Sequence, residues 1–156
     1  MAEIIASVTE VVRAAPEVVW AIFTDYHDAH PAVLPRPAFG ELVVERGGTG
    51  AGTVFTIELN EGVRTRKLRM NVTEPQPGRV LMESDADSDL VTTFTVEPSD
   101  GGRDSRVTIA TRWTRGGVRG LLERAFAPAL MRPVFRAELR NVEKLARDRS
   151  GAAAAV

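Results

Sequence analysis

A chain of 156 residues, 44% apolar and 26% charged, has the size and balance of one globular domain able to bury a core. Its net charge of −1 excludes the basic field that nucleic acid or an anionic lipid surface would attract. The absence of cysteine excludes disulfides, thiolate nucleophiles and cysteine metal sites, and fits a reducing compartment. The N-terminal MAEIIASVTEVV lacks a basic n-region and carries Glu3, so it does not read as a signal peptide. No apolar run approaches the ~18 residues that cross a bilayer. The expectation is a cytoplasmic protein without an integral membrane segment, folded as one domain over residues 1–149, with a frayed, disordered tail at 150–156.

Residues 3–13, rich in Ile, Val and Thr, predict a strand. In AAPEVVWAIFTDY, Pro16 suits the first turn of a helix and Glu17 complements its dipole. Val19, Ile22, Phe23 and Tyr26 form its apolar stripe. HDAHPAVLPRP cannot carry a long helix through Pro31, Pro35 and Pro37, but admits one short turn near Ala32–Leu34.

After Pro37 the period becomes two. Strands are predicted over 38–46, 53–60, 63–74, 79–84, 89–98 and 105–115, with turn-rich separators. Short links between consecutive strands imply an antiparallel meander, seven strands with the first. GGTGAGT at 47–53 raises the question of a phosphate loop. Such a loop opens a helix, whereas here VFTIELN follows with strand alternation and no Gly-Lys-Ser/Thr. The glycines are therefore read as supplying positive φ angles in a tight connection.

From Gly117 the period returns to 3.6, giving about 30 residues of helix, with Pro128 and Pro133 predicting a break or kink in the first third. A long amphipathic helix must bury its stripe on one face of the sheet. Alternation assigns to that face Phe55, Ile57 and Leu59; Leu68, Met70 and Val72, with Arg64 and Arg66 in phase; Val80 and Met82; Leu90, Thr92, Phe94 and Val96; and Val107, Ile109, Thr111 and Trp113. A curved sheet gripping a helix leaves room for a ligand-sized hollow.

The order strand, helix, short helix, six strands, long helix, together with APEVVWAIFTDYHDAHPAVLP, FGELVVERGGTGAGTVFTIEL, TEPQPGRVLMESD, TFTVEPSDGGRDSRVTIATRW and GLLERAFAPALMRPVF, resembles the SRPBCC, or START-like helix-grip, superfamily. Within it the chain is most similar to polyketide cyclase/dehydrase and lipid-transport-like proteins. The resemblance implies an α+β fold in which a seven-stranded curved sheet wraps a C-terminal helix, with two short helices after the first strand. It also implies a hydrophobic pocket for lipids, hormones or polyketides, and cyclisation or dehydration in a minority of members.

Glu138 falls at the centre of the apolar face made by Met131, Val134, Phe135, Val142 and Leu145. A carboxylate there needs a partner or a polar cavity. It is a pocket group that orients a ligand hydroxyl or moves protons, one end of an ion pair with Arg66 or Arg64, or a residue that a one-position error in the wheel has placed on the wrong face. Those two arginines either line the mouth and meet an anionic headgroup, or are surface charges on a splayed strand end. His27 and His30, with Asp25 and Asp28 close by, lack the distant third ligand of a catalytic zinc site; the stretch reads either as helix-end capping and a solvated loop or, as the resemblance suggests, with His30, Val33 and Leu34 lining the pocket entrance. Trp20 is read as core filling and Trp113 as core or stacking wall.

The expected ligand-binding set is therefore His30, Leu34, Phe55, Ile57, Arg66, Leu68, Met70, Met82, Phe94, Thr111, Trp113, Met131, Val134, Phe135 and Glu138. No cofactor and no metal are implied. Nucleic acid is not an expected partner, because the helix arginines alternate with acids. Three functions follow from this reading. The favoured one is binding of a hydrophobic small molecule by a monomer or homodimer. The second is an aromatase/cyclase or dehydratase of lyase type, with Glu138, Arg66 or the hydroxyls of Thr92 or Thr111 placing protons. The third is a protein-interaction or stress-related role, which would need an exposed apolar patch.

Overall fold

The computed structural model describes residues 1–154, with side chains through residue 151. The elements in chain order are β1 (Ala2–Val12), α1 (Pro16–Thr24), α2 (Ala29–Val33), β2 (Phe39–Arg46), β3 (Val54–Asn60), β4 (Thr65–Gln76), β5 (Val80–Asp85), β6 (Val91–Ser99), a single 3-10 turn (Asp100–Gly102), β7 (Asp104–Arg115) and α3 (Gly117–Ala154). The strands form one antiparallel sheet in the order β1-β7-β6-β5-β4-β3-β2. The meander from β2 to β7 is sequential, and β1 closes on β7 with Ala2 opposite Arg115 and Val12 opposite Ser105. Seven strands, two short helices and a long last helix match the expected helix-grip architecture.

Period two sets the buried face. On β1, Ile4, Ala6, Val8 and Val12 are buried; on β4, Leu68, Met70 and Val72; on β7, Val107, Ile109 and Thr111. The helix α3 packs on this face, chiefly across β1. It does so through Phe135, Glu138, Leu139, Val142 and Ala146, residues three or four apart on one stripe. The amide of Asn141 donates to the Val33 carbonyl at 2.9 Å, tying α2 to α3.

Four expectations are corrected. The strand β5 turns Leu81 and Glu83 inward and leaves Val80 and Met82 half-buried on the opposite face. Met82 stands opposite Thr73 and Thr93. An irregularity between Thr73 and Gln76 shifts the β4–β5 register, and three successive apolar residues, Val80 to Met82, carry no alternation from which the phase could be read. Of the predicted break or kink in α3, the break does not occur, since the helix runs uninterrupted through Pro128 and Pro133 and on to Ala154. Each proline removes one backbone hydrogen bond, and the packing of the following turns on the sheet holds the helix together. The tail expected to fray from residue 150 is thus helical as far as it is described, and Ala155 and Val156 lie outside the described residues. The short turn expected near Ala32–Leu34 begins earlier, at Ala29.

The first turns of α3 are apolar on the outside as well. Val118, Leu121, Leu122, Phe126 and Leu130 are exposed.

The loop GGTGAGT is a strand connection, with Gly47, Gly48, Gly50 and Gly52 at positive φ. It also latches the end of α1. The Tyr26 amide donates to the Gly48 carbonyl and the Gly50 amide to the Thr24 carbonyl, both at 2.9 Å. At Gly48 (φ 133°) an added Cβ would run into the imidazole of His27. Gly48→Ala should therefore cost more than ~1 kcal/mol in urea unfolding; an unchanged midpoint would show that the latch tolerates a side chain.

Candidate functional site

Between the sheet and α3 lies a hollow of about 800 Å³. All of the expected ligand-binding residues line it except Met82, whose side chain β5 turns to the other face. Phe55, Ile57, Leu68, Met70 and Phe94 supply the sheet wall; Met131, Val134 and Phe135 supply the helix wall. Leu34 lies at the α2 edge. Trp20 packs against the core, as expected. Trp113 is half-buried in the hollow's wall, and its indole N–H donates to Oε2 of Glu123 at 3.0 Å.

The polar groups fall at two ends. At the open end are Arg64 and Arg66, beside the hairpin residues Asn60 to Gly62, with Arg115, Arg119 and Glu123 on the α3 side. Arg66 reaches Oε1 of Glu61 at 3.3 Å. Glu123 gathers Arg115 and Arg119 at 3.4 and 3.0 Å. Burial pushes its carboxyl up, but the Trp113 and arginine hydrogen bonds outweigh that and hold it below the usual range.

At the closed end, Tyr26, His30, Glu83 and Glu138 form a buried cluster. The expectation of His30 at the entrance is corrected, because it is 2% exposed and sits against Glu138. Val33 is buried and does not line the hollow. The reason is local. Asp25 accepts hydrogen bonds from the amides of His27, Asp28 and Ala29, and the turn so capped rolls His30 inward while His27 stays exposed. Burial works against the Asp25 carboxylate, but the three donors together hold its pKa below the ordinary value.

Nδ1 of His30 lies 2.6 Å from the Phe23 carbonyl oxygen. A carbonyl only accepts, so Nδ1 carries the hydrogen and Nε2 is the bare nitrogen. Nε2 faces Oε1 of Glu83 at 3.6 Å and Oε1 of Glu138 at 4.0 Å. Burial pushes the imidazole pKa down to about 4, against weaker pulls from the Phe23 carbonyl and Asp25. The ring is therefore neutral at neutral pH, and these contacts are not ion pairs. Tyr26 stacks on it at 4.7 Å between centroids, and Phe94 meets it edge-on at 5.5 Å.

Burial likewise pushes Glu83 up to about 7, partly offset by the hydrogen bond from the Tyr26 hydroxyl at 2.8 Å. Tyr26, buried and beside Glu83, is raised well above 10.0 and stays neutral. Glu138 is driven well above 4.5 by burial first and then by the Glu83 charge. It meets no arginine. Its Oε1 has no hydrogen-bond partner at all, so the ion pair that would have made it structural is absent among the described residues. Thr92 and Thr111 satisfy each other through a 2.7 Å hydroxyl pair in the sheet wall.

Two groups escaped the sequence reading. Glu83 was hidden by the β5 phase error. Tyr26 was assigned to the apolar stripe of α1, with no signal that its hydroxyl reaches a strand 57 residues on.

A family model described as polyketide cyclase / dehydrase and lipid transport matches residues 3–147. Among solved structures, the solution structure of KanY protein is similar at 34% identity, covering 94% of this chain and 99% of that one, with a TM-score of 0.80. The Zhui aromatase/cyclase from Streptomyces sp. R1128 shares 13% identity over 95% of this chain and 96% of its own, at a TM-score of 0.75. Norcoclaurine synthase from Thalictrum flavum, in complex with dopamine and hydroxybenzaldehyde, shares 15% over 94% and 87%, at 0.68. These two show likeness of fold alone. Comparison with curated protein sequences finds no match.

The burial of Glu138 has a pH signature. Its folded pKa lies above the unfolded value of 4.5, so the folded state keeps a proton that the unfolded state has lost. Stability falls as pH rises through that window, by up to about 1.4 kcal/mol for each pH unit. The Glu138→Gln variant lacks this group, so its stability relative to the wild type should climb with pH above 4.5. Parallel stability–pH curves for the two proteins would show that Glu138 titrates normally.

Proposed function

Since the chain belongs to the polyketide cyclase/dehydrase and lipid transport family, we propose that it binds a hydrophobic small molecule, such as a lipid or polyketide, between the sheet and α3. The hollow of about 800 Å³ carries this reading. It is of ligand size and mainly apolar along its walls, where the Thr92 and Thr111 hydroxyls satisfy each other, with charged groups towards its ends, which is how small-molecule sites are built. A guest entering it releases water from the half-buried Leu59, Met131 and Val134, which favours binding, and an oxygen on the guest gives Glu138 the partner it lacks.

A second reading, cyclisation or dehydration, is favoured by one observation. Glu83 has a pKa of about 7 and stands 3.6 Å from the bare Nε2 of His30. A group poised near neutrality both takes and gives protons. In such a reaction the ionised Glu83 would accept the proton from carbon beside a guest carbonyl, next to the neutral His30 ring, while protonated Glu138 would give its own proton to the carbonyl oxygen as charge grows there, leaving an enol. An interaction role draws support from the exposed residues of α3, from Val118 to Leu130.

Native mass spectrometry of protein purified from its own host tests these readings together. Binding predicts a co-purified apolar guest, reduced in Leu68→Trp, whose indole occupies the hollow. Chemical change of that guest during incubation would favour the second reading, and a doubled mass would favour association through α3. A protein that carries no guest, and takes up no apolar fluorophore that Leu68→Trp excludes, would overturn the binding reading.

A further inference from the structure

Among the described residues, two buried side-chain polar atoms have no hydrogen-bond partner, Nε of Arg66 and Oε1 of Glu138. Native proteins leave few such groups, and each calls for an explanation. Both residues line the same hollow, and they sit at its opposite ends. Arg66 stands opposite Leu59 at the hairpin end of β3 and β4. Glu138 sits with Glu83, which stands opposite Val72 on β4. From position 66 to position 72 the strand advances ~20 Å.

The two ends ask for different chemistry. The guanidinium of Arg66 only donates and is always charged. One corner meets Glu61 at 3.3 Å, the Nε–H is unused, and Arg64 adds a second positive charge at the same mouth. That end suits an oxyanion. The closed end has no cation to receive one. His30 is neutral there, and a second negative charge beside Glu83 would be repelled in a site sealed from water. A carboxyl held protonated can instead donate to a neutral oxygen acceptor. Apolar side chains, Ile57, Leu68, Met70, Met131 and Phe135, fill the wall between.

Resting on the binding reading above, we infer that the guest is a two-ended amphiphile, with a carboxylate or phosphate on Arg66 at the mouth, an apolar chain, and a neutral carbonyl oxygen on Glu138 some 15–20 Å away. The anion faces outward and the ketone enters first. Both orphaned atoms are then satisfied by one molecule.

Isothermal titration of the whole chain tests this with defined probes. The probes are hexadecanoic acid carrying a ketone near its methyl end, the methyl ester of that keto acid, unmodified hexadecanoic acid, and the alkyl phosphate bearing the same ketone. The keto acid or keto phosphate should bind most tightly, and the tighter of the two identifies the head. Esterification should cost roughly tenfold or more, and loss of the ketone up to about tenfold. The ester penalty should disappear in Arg66→Met. The ketone preference should disappear in Glu138→Leu and persist in Glu138→Gln, which keeps a donor and controls for folding. Equal binding of acid, ester and keto acid would overturn the two-ended guest while leaving the hollow as a binding site. Failure of every probe in a chain that still takes up an apolar fluorophore would overturn the guest alone, and failure of the fluorophore too would remove the binding reading with it.

Discussion

The carboxyl of Glu138 is carried by the central turn of α3 to a place that water does not reach, where the nearest polar groups are a second acid, Glu83, and a neutral imidazole, His30. A charge there would be far more costly than a proton. The cluster therefore keeps the proton on Glu138, brings Glu83 to the edge of ionisation near neutral pH, and leaves Nε2 of the imidazole bare. That arrangement limits what else the fold can do at this end. Nδ1 of His30 is committed to the Phe23 carbonyl, the Tyr26 hydroxyl is committed to Glu83, and α2 is anchored to α3 through Asn141. What is left over is one carboxyl without a partner, facing a hollow.

The rest of the fold keeps that hollow open. The buried stripe of α3 from Phe135 to Ala146 fixes the helix on β1, while Glu123 ties its first turns to Trp113 and Arg115 at the end of β7. Helix and sheet are thus joined at both ends, and the hollow lies between these contacts. The apolar exterior of those first turns, from Val118 to Leu130, contrasts with the usual surface helix, which shows polar residues to water. The same segment lends Leu130 and Met131 to the wall of the hollow, so the mouth and the exposed face are two sides of one helical segment.

Much of this was legible in the sequence because it rests on periodicity. The change from period two to period 3.6 at Gly117 marks the one long helix, and a helical wheel alone finds Glu138 on the buried face. Strands with clean alternation, such as β4 and β7, were assigned to the correct side. The strand β5 was not, because Val80, Leu81 and Met82 are all apolar and the register irregularity near Thr73 is invisible without the partner strand. That single phase error hid Glu83 and, with it, the acid cluster. The inward roll of His30 was equally hidden, since it depends on Asp25 capping a turn from the preceding residues. The prolines of α3 pointed to a break that the helix does not show. Their local cost was visible, but the tertiary packing that outweighs it was not.

Carbon-13 spectra of the glutamate side-chain carboxyls, followed across pH in the protein without added ligand, test the central claim most directly. The expected result is that Glu83 titrates with a midpoint near 7 and that Glu138 titrates well above 4.5. Two buried carboxyls that both titrate near 4.5, together with the exposed ones, would mean that water reaches the closed end of the hollow. The neutral acid cluster on which the site depends would then not exist.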